Sequence, residues 1–362
     1  MRIALIGDAQ SPHLLKWARA LGAAGDIELW VASSRGFASG FDALLPAERR
    51  LALDFRPSHE GGNAALLASL PRLGAWLRHV DADWLHAHYL TSHGTLAWLA
   101  KRFWRLRGGL VGSAWGSDIL LAPQRSRAHR WLTKWVLQAC TLTTSDSQFM
   151  TERMRELGAA EVMTFPFGLE SLPPDPGPKD SWLFFSNRGL EPLYRPERVL
   201  ARFASMAVVE PKARLVIAND GSLAGGLPAQ ARKLGLTVGS IGAGQQVEFV
   251  GRLDVEEQGR WYARAGWYFS LPESDSVSVS VLEAMAHGCI PLLSDLPANR
   301  ELVDDGRNGL IVHDVGLDTF ALQRLVDRAE QIANGNRAWV AQHGLFAPSV
   351  ASLLARLREM ST

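Results

Sequence analysis

The sequence predicts an α/β protein of two domains, each with a parallel β-sheet that alternates with helices. Three observations predict this class. The chain has 362 residues, more than one ordinary core accommodates. Short apolar runs alternate with segments of helical periodicity, which is the pattern of βαβ units. A segment with four prolines, SLPPDPGPKD at 171–180, interrupts the alternation near its middle and is typical of a linker.

The first domain is expected over residues 1–170. Apolar runs predict its strands at 2–7, 27–32, 84–87, 109–113 and 142–145. Helical periodicity between them predicts helices at 11–21, 64–79, 95–107, 128–139 and 147–157.

The second domain is expected over residues 181–340. Its predicted strands are 182–186, 214–218, 247–250, 267–270 and 290–294, and its predicted helices include 279–287 and 319–333. The segment 341–362, with a helix at 347–360, is expected to pack back toward the first domain. Two domains of this kind joined by a hinge imply a cleft, with ligands beyond the carboxyl ends of the strands.

Composition excludes several classes of protein. The net charge of +1 argues against a general nucleic-acid binder, and 47% hydrophobic residues argue against disorder. The two cysteines, Cys140 and Cys289, lie in apolar surroundings and are expected to be buried, reduced thiols of a cytoplasmic protein. The five-residue apolar run from Ile3 is too short for a signal peptide and predicts a strand, and no stretch of 18 apolar residues predicts a membrane span.

Residues 101–135 carry eight lysines and arginines and a single acid, Asp118. Within them QRSRAHRWLTKW (124–135) interleaves cations with Trp131 and Trp135. One interpretation is a peripheral element that binds an anionic membrane surface. The other is an ordinary solvated helix whose tryptophans belong to the core. No nucleic-acid-binding module accompanies this segment.

The stretch 270–312 carries the strongest chemical pattern. A strand leads into a loop of small polar residues and then directly into a helix, whose free N–H groups and positive dipole end suit a phosphate. Asp275 in the loop and Glu283 in the helix lie eight positions apart. The structural alternative is that Asp275 caps the helix and Glu283 pairs with a cation.

DSVSVSVLEAMAHGCIP, followed by SDLPANRELVDDGRNGLIV, resembles the retaining glycosyltransferases of family 4, which have the GT-B fold of two Rossmann-like domains facing each other across a cleft. The resemblance extends to FPFGLE (165–170), SNRGLEPLYRPERVLARF (186–203), IANDGS (217–222) and VEFVGRL (247–253). It is specific in the second domain and looser in the first.

The resemblance implies that the second domain holds a nucleotide-sugar donor. Glu283 would bind the ribose hydroxyls, and Asp275 would bind the donor sugar as a catalytic residue. The phosphate would meet the backbone of Ser276, Val277, Ser278 and Val279. Arg188 would bind the diphosphate, a task that suits its planar fork of donors. Tyr194 and Arg195 stand where the family has a lysine, and Arg195 is the expected replacement.

The first domain offers four candidate residues, two of them from the resemblance. SAWGSDIL has Trp115 where the family often has a histidine, so Trp115 is expected to stack on a sugar, and Asp118 is kept as a catalytic candidate. His13 and His88 are the preferred catalytic histidines because each follows or ends a predicted strand. The alternative for each histidine, including the nearby His86 and His93, is a hydrogen-bonded structural role.

The resemblance also implies a reaction. The acceptor attacks from the face that the leaving diphosphate departs from, and that phosphate takes the proton, so neither a covalent nucleophile nor a metal or other cofactor is expected. No HxxxH, CxxC or Asp-x-Asp pattern predicts a metal site. The expected acceptor is a glycan, as in polysaccharide biosynthesis, a lipid-linked sugar or a small molecule. The alternative is a non-catalytic binding or partner protein, because Asp275, Trp115 and the missing lysine depart from the family pattern.

Overall fold

The computed structural model describes residues 1–54, 67–313 and 319–361. It divides into two compact units. The first comprises Met1–Pro166 together with Phe346–Thr362, and the second comprises Phe167–Leu345.

The first unit is a parallel sheet of seven strands. They are β1 (Arg2–Gly7), β2 (Glu28–Ser33), β3 (Arg50–Ala52), β4 (Trp84–His88), β5 (Gly109–Ser113), β6 (Leu142–Ser145) and β7 (Val162–Thr164). Their order across the sheet is β3-β2-β1-β4-β5-β6-β7. Burial of β1 and β4 on both faces explains why these strands are continuous apolar runs with little alternation.

Helices and short turns connect these strands. The described helices are α1 (Pro12–Gly22), α2 (Leu70–Val80), α3 (Thr95–Trp104), α4 (Ser117–Leu120), α5 (Ala122–Arg125), α6 (Arg127–Ala139) and α7 (Gln148–Glu156). A single π-turn, Leu90–Gly94, joins β4 to α3. Serine side chains cap α1, α6 and α7, and serine is favoured at this position because its hydroxyl accepts an otherwise unpaired N–H.

The second unit is a parallel sheet of six strands. They are β8 (Asp180–Ser186), β9 (Arg214–Ala218), β10 (Val247–Gly251), β11 (Ala265–Ser270), β12 (Ile290–Ser294) and β13 (Leu310–Val312), in the order β10-β9-β8-β11-β12-β13. Its helices are α8 (Pro196–Val209), α9 (Leu227–Lys233), α10 (Val255–Arg264), α11 (Val279–Ala286), α12 (Pro297–Arg300), α13 (Thr319–Val326) and α14 (Ala329–His343).

Strand order determines where each unit can hold a ligand. In the first sheet the order reverses between β1 and β4, and in the second it reverses between β8 and β11. Loops on either side of such a switch point diverge above and below the sheet and leave a crevice at the carboxyl ends of the strands. The residues that follow β1, β4, β8 and β11 are therefore the best-placed candidates for chemistry.

The last helix, α15 (Phe346–Glu359), belongs to the first unit. Phe346 packs edge-on against the buried ring of Trp17, with the ring centroids 4.8 Å apart. Arg356 makes a two-pronged ion pair with Glu161, at 2.7 and 2.9 Å. These contacts join the last helix to residues that lie far earlier in the chain.

The proline-rich segment 171–180 lies within the second unit, whereas the sequence predicts a linker there. The guanidinium of Arg337, on α14, donates to the backbone oxygens of Pro173, Pro174 and Ala286. The segment ends by entering β8, whose first residue is Asp180. Hydrogen bonds to proline carbonyls thus fix a segment whose composition is typical of a linker.

Strands β3, β7 and β13 were not predicted. Each has three residues and lies at an edge of its sheet, so the chain offers too short an apolar run for periodicity to reveal. The predicted helix 319–333 is wrong in its bounds, because α13 ends at Val326 and α14 continues through Gly335 to His343. Asn336 is buried there and exchanges hydrogen bonds with Asn308, at 2.9 and 3.1 Å, which outweighs the poor helix propensity of glycine and asparagine.

Both cysteines are buried and reduced, and burial raises the pKa of the Cys140 thiol to about 12. Among the described helices none has the length and apolar character that crossing a bilayer requires.

Candidate functional site

Arg188 and Asp275 form an ion pair at the switch point of the second sheet. Arg188 follows β8, Asp275 lies in the loop after β11, and the guanidinium Nη2 lies 2.7 Å from the carboxylate Oδ2. The two side chains are 13% and 22% exposed. Burial, the largest single effect, lowers the pKa of the Arg188 guanidinium, but Asp275 and the neighbouring Tyr268 and Tyr194 together outweigh it and hold that pKa above its usual value. Burial raises the pKa of Asp275, and Arg188 offsets part of that rise.

The start of α11 completes this part of the site. Ser278 occupies the N-cap position, yet its hydroxyl contacts Arg188 and the hydroxyl of Ser280 and does not cap the helix. Backbone N–H groups at an uncapped helix start are a typical anion site. The N–H of Ser276 donates to Asp275 Oδ1 at 3.0 Å, so Asp275 is bound to the loop and to Arg188 and does not act as a helix cap. The side chain of Val277 is buried in the core.

Glu283 lies on α11, where the hydroxyl of Tyr262 donates to its carboxylate at 3.2 Å. Tyr262, on α10, also accepts a hydrogen bond from the amide of Asn187 at 2.8 Å. Tyr268 of β11 donates to the amide oxygen of Asn187 at 2.7 Å. Burial raises the pKa of both tyrosines well above the usual value of a phenol. The phenols therefore stay protonated, and Tyr262 orients Glu283 as a hydrogen-bond donor.

Tyr194 and Arg195 are adjacent in the chain but contact different partners. Tyr194 places its ring against the guanidinium of Arg188, with 4.5 Å from Cζ to the ring centroid. Arg195 forms an ion pair with Glu273 at 2.8 Å, and the side chains of this pair are 42% and 62% exposed. Arg195, the expected replacement, is therefore engaged with an exposed acid in the loop after β11.

The first unit brings together His13, His88 and Trp115 at its own switch point. His13 lies in the first turn of α1, and its ring centroid is 4.9 Å from that of Trp115. The indole N–H of Trp115 donates to Nδ1 of His88 at 3.2 Å. His13 and Trp115 are partly exposed, whereas His88 is buried beneath them. Of these three residues, His13 and Trp115 are the ones a ligand reaches.

Burial keeps the histidines at the end of β4 neutral. It lowers the pKa of His86 to about 3, and it lowers the pKa of His88 well below the ordinary value, with His86, His93 and His13 adding to the effect. Nε2 of His86 bonds the hydroxyl of Ser113 at 2.8 Å. His86 thus has the structural role that was the alternative for each histidine.

Asp118 lies beneath this group and does not line it. Its side chain is fully buried, and its two oxygens accept the backbone N–H groups of Leu90 and Trp115 at 2.8 and 2.9 Å. Burial raises the pKa of Asp118 to about 6, although these hydrogen bonds oppose the rise. Tyr89, next to Leu90, has a positive φ of 69°, a strained conformation for an aromatic residue. Asp118 therefore holds this strained bend through two backbone hydrogen bonds, and its catalytic role stays a prediction.

Helix α6 presents cations and tryptophans to solvent on one side. Trp131 and Trp135 are 56% and 45% exposed, and their rings lie 5.0 Å apart. Buried positions such as Val136 and Leu137 occupy the opposite side. The interpretation of these tryptophans as core residues is therefore wrong. We name Arg127, Arg130, Trp131, Lys134 and Trp135 the basic–tryptophan surface.

No group of three or more histidine, cysteine, aspartate or glutamate side chains in the described ranges is arranged to hold a metal ion.

Several residues near Arg188 and Glu283 were missed by the sequence analysis. Asn187, Tyr262 and Tyr268 form a buried hydrogen-bond network, but they come from three elements, and only β11 and the end of β8 are neighbours in the sheet. A signal existed for Tyr194, because it stands beside Arg195 at the position where the family has a lysine.

Two family profiles match the chain. Residues 2–147 match the family described as glycosyl transferase 4-like, and residues 172–341 match the glycosyl transferases group 1. A D-inositol 3-phosphate glycosyltransferase 2 of Catenulispora acidiphila is 26% identical over 280 residues. The match covers 70% of this chain but 64% of that relative, so the chain spans less than two thirds of its length.

Solved structures share the fold. HepE of Anabaena in complex with UDP-glucose superposes with a TM-score of 0.74 at 15% identity, over 98% of this chain and all of that one. Sucrose-phosphate synthase of Thermosynechococcus elongatus superposes with a TM-score of 0.76 at 15% identity, over 99% and 100% of the two chains.

Proposed function

Because the chain belongs to the family 4 glycosyltransferases of the GT-B fold, we propose that it is a retaining enzyme that transfers a sugar from a nucleotide-sugar donor. The acceptor is a glycan, as in polysaccharide biosynthesis, a lipid-linked sugar or a small molecule. The observation that carries this proposal is the position of Arg188 beside Asp275 at the uncapped start of α11. HepE binds UDP-glucose, so uridine diphosphate sugars are the first donors to test.

The chemistry follows from where charge develops. Breaking the anomeric bond builds positive charge on the sugar and negative charge on the departing diphosphate. Arg188 and the helix start meet the negative charge, and they stabilise it more strongly in the transition state than in the ground state. The departing phosphate takes the acceptor's proton on the same face, so no enzyme carboxylate becomes a covalent nucleophile. We propose that Arg188 and the helix start supply this charge stabilisation without a metal ion.

Asp275 and Glu283 have separate tasks in this proposal. Asp275 holds hydroxyls of the donor sugar, and the donor competes with Asp275 for the guanidinium when it binds. Glu283, oriented by Tyr262, accepts hydrogen bonds from the ribose. In the first unit, His13 and Trp115 are the residues proposed to touch a sugar, Trp115 by stacking, with the neutral His88 beneath them.

A donor screen tests the proposal without knowledge of the acceptor. Nucleotide sugars of all common bases are incubated with the enzyme, and slow release of free sugar is followed by NMR, which also reports the anomer formed first. We expect hydrolysis of at least one donor with retention, unchanged by a chelator. Formation of the inverted anomer contradicts the retaining mechanism. Binding by calorimetry without hydrolysis or transfer favours the non-catalytic alternative.

We further propose that the basic–tryptophan surface binds the anionic face of a membrane and makes the enzyme a peripheral membrane protein. On a helical wheel the cations and tryptophans of α6 share one exposed sector, the arrangement that places indole rings at the headgroup level. Each lysine or arginine near an anionic bilayer contributes about 1 kcal/mol. The surface lies in the first unit, whereas Arg188 lies in the second, so attachment and donor hydrolysis are separately measurable.

Sedimentation with vesicles tests this attachment. One variant carries glutamine at the three cations of this surface, Arg127, Arg130 and Lys134, and at the exposed Arg125 that precedes the helix. Its control carries the same charge change at four exposed cations of the second unit, Lys212, Arg232, Lys233 and Arg260. We expect the first variant to lose binding to vesicles rich in phosphatidylglycerol, and the control to keep it. Equal binding of both variants overturns the proposal.

A further inference from the structure

Tyr194 supports Arg188 from one side. The guanidinium Cζ lies 4.5 Å from the centroid of the phenol ring, well inside the range of a cation–π contact. The guanidinium also contacts Asp275, Ser278 and Ser280. The ring is only partly buried, so it contacts the cation and still reaches solvent.

Three local features hold the Tyr194 ring in place. Residues Pro192–Tyr194 form a short 3-10 turn. A hydrogen bond of 2.9 Å from the N–H of Tyr194 to the backbone oxygen of Glu191 closes it. The oxygen of Leu193 accepts the N–H of Glu273 at 2.9 Å, which ties the turn to the loop after β11. Gly189 leaves room for the ring, because a Cβ there would meet Tyr194 atoms at 3.2 Å.

Arg195 diverges from this arrangement. Its backbone takes a positive φ of 46°. Its guanidinium donates two hydrogen bonds to Oε2 of Glu273, from Nη2 at 2.8 Å and from Nε at 3.2 Å. An exposed pair of this kind contributes about 0–1 kcal/mol. Arg195 therefore fastens the turn to the loop, and its charge is already matched by an acid.

We propose that Tyr194, and not Arg195, is the second side chain of the donor site. This inference rests on the proposed function. The ring fixes the guanidinium of Arg188, and the phenol hydroxyl donates a hydrogen bond to the diphosphate of the donor. A neutral hydrogen-bond donor thus takes the place of a cation beside Arg188, which makes Tyr194 a residue that determines affinity for the diphosphate group.

Calorimetry with UDP and UMP tests this role, because the two ligands differ only in one phosphate. Tyr194→Phe keeps the ring and removes the hydroxyl, Tyr194→Leu removes both, and Arg195→Gln is the matched control. We expect the preference for UDP over UMP to fall about tenfold in Tyr194→Phe, the change that loss of one good hydrogen bond produces. The preference for UDP over UMP is expected to fall further in Tyr194→Leu and to stay at the value of the wild type in Arg195→Gln.

The outcomes separate this inference from the proposed function. If the wild type prefers UDP and Tyr194→Phe keeps that preference, the inference is overturned, and loss of the preference in Arg195→Gln would then make Arg195 the diphosphate residue. If the wild type binds no nucleoside diphosphate of any base, the proposed function itself fails. Circular dichroism of each variant verifies that the fold is kept.

Discussion

Replacement of Arg188 is the perturbation for which the structure defines an effect most clearly. The guanidinium touches Asp275, Ser278, Ser280 and the ring of Tyr194 at once. Arg188→Ala removes these contacts and leaves Asp275, with only 22% of its side chain exposed, without its ion-pair partner. Loss of one partner of a buried pair costs about 3 kcal/mol of the free energy of unfolding, and urea titration measures this loss.

The kinetic effect of the same change is larger than a local stability loss explains. Loss of a group aimed at developing charge lowers kcat by about 10² to 10³. Arg188→Lys keeps the charge but lacks the planar fork of hydrogen-bond donors, so its kcat is expected to lie between those of the wild type and Arg188→Ala. Donor hydrolysis is to be compared under conditions in which urea titration verifies that all three proteins are folded. A folded Arg188→Ala with kcat and KM of the wild type refutes the assignment.

Two further predictions concern buried groups. Tyr262→Phe removes the donor to Glu283 and leaves an N–H of Asn187 without its acceptor. We expect the free energy of unfolding, measured by urea titration, to fall by about 1–3 kcal/mol and the KM of the donor to rise. An unchanged KM contradicts the orienting role of Tyr262. Asp118 has a folded pKa of about 6, above its unfolded value, so its contribution to stability is full below pH 4 and declines as pH rises to 7. The advantage of the wild type over Asp118→Asn in urea titration is expected to shrink by about 3 kcal/mol over that range, and a constant difference contradicts the raised pKa.

The strands at the centre of each sheet were predictable because burial on both faces makes them continuous apolar runs. The bounds of β5, β6, β9 and β12 coincide with the predicted ones. Short edge strands such as β3 were not predicted, because three residues are too few to show the hydrophobic periodicity of a strand. Helix α14 passes through Gly335 because a tertiary contact, Asn336 to Asn308, outweighs local propensity.

The candidate site was predictable where consecutive residues encode it. The small-residue loop, Asp275 and the start of α11 are neighbours in sequence, and a resemblance to known enzymes supplied Arg188. Whether a side chain reaches a ligand depends on burial, which sequence reports poorly. Asp118 has the right residue type but lies beneath the site, and Tyr194 and Arg195 are adjacent yet point to different partners.

The central claim is that the loop after β11 and helix α11 hold a nucleotide sugar. Its most direct test compares hydrolysis of the preferred donor by the wild type and Glu283→Ala, with Glu273→Gln, an exposed acid of the same loop, as control. The ribose contact implies that Glu283→Ala loses donor turnover, while Glu273→Gln keeps it. Full activity of a folded Glu283→Ala would contradict the account.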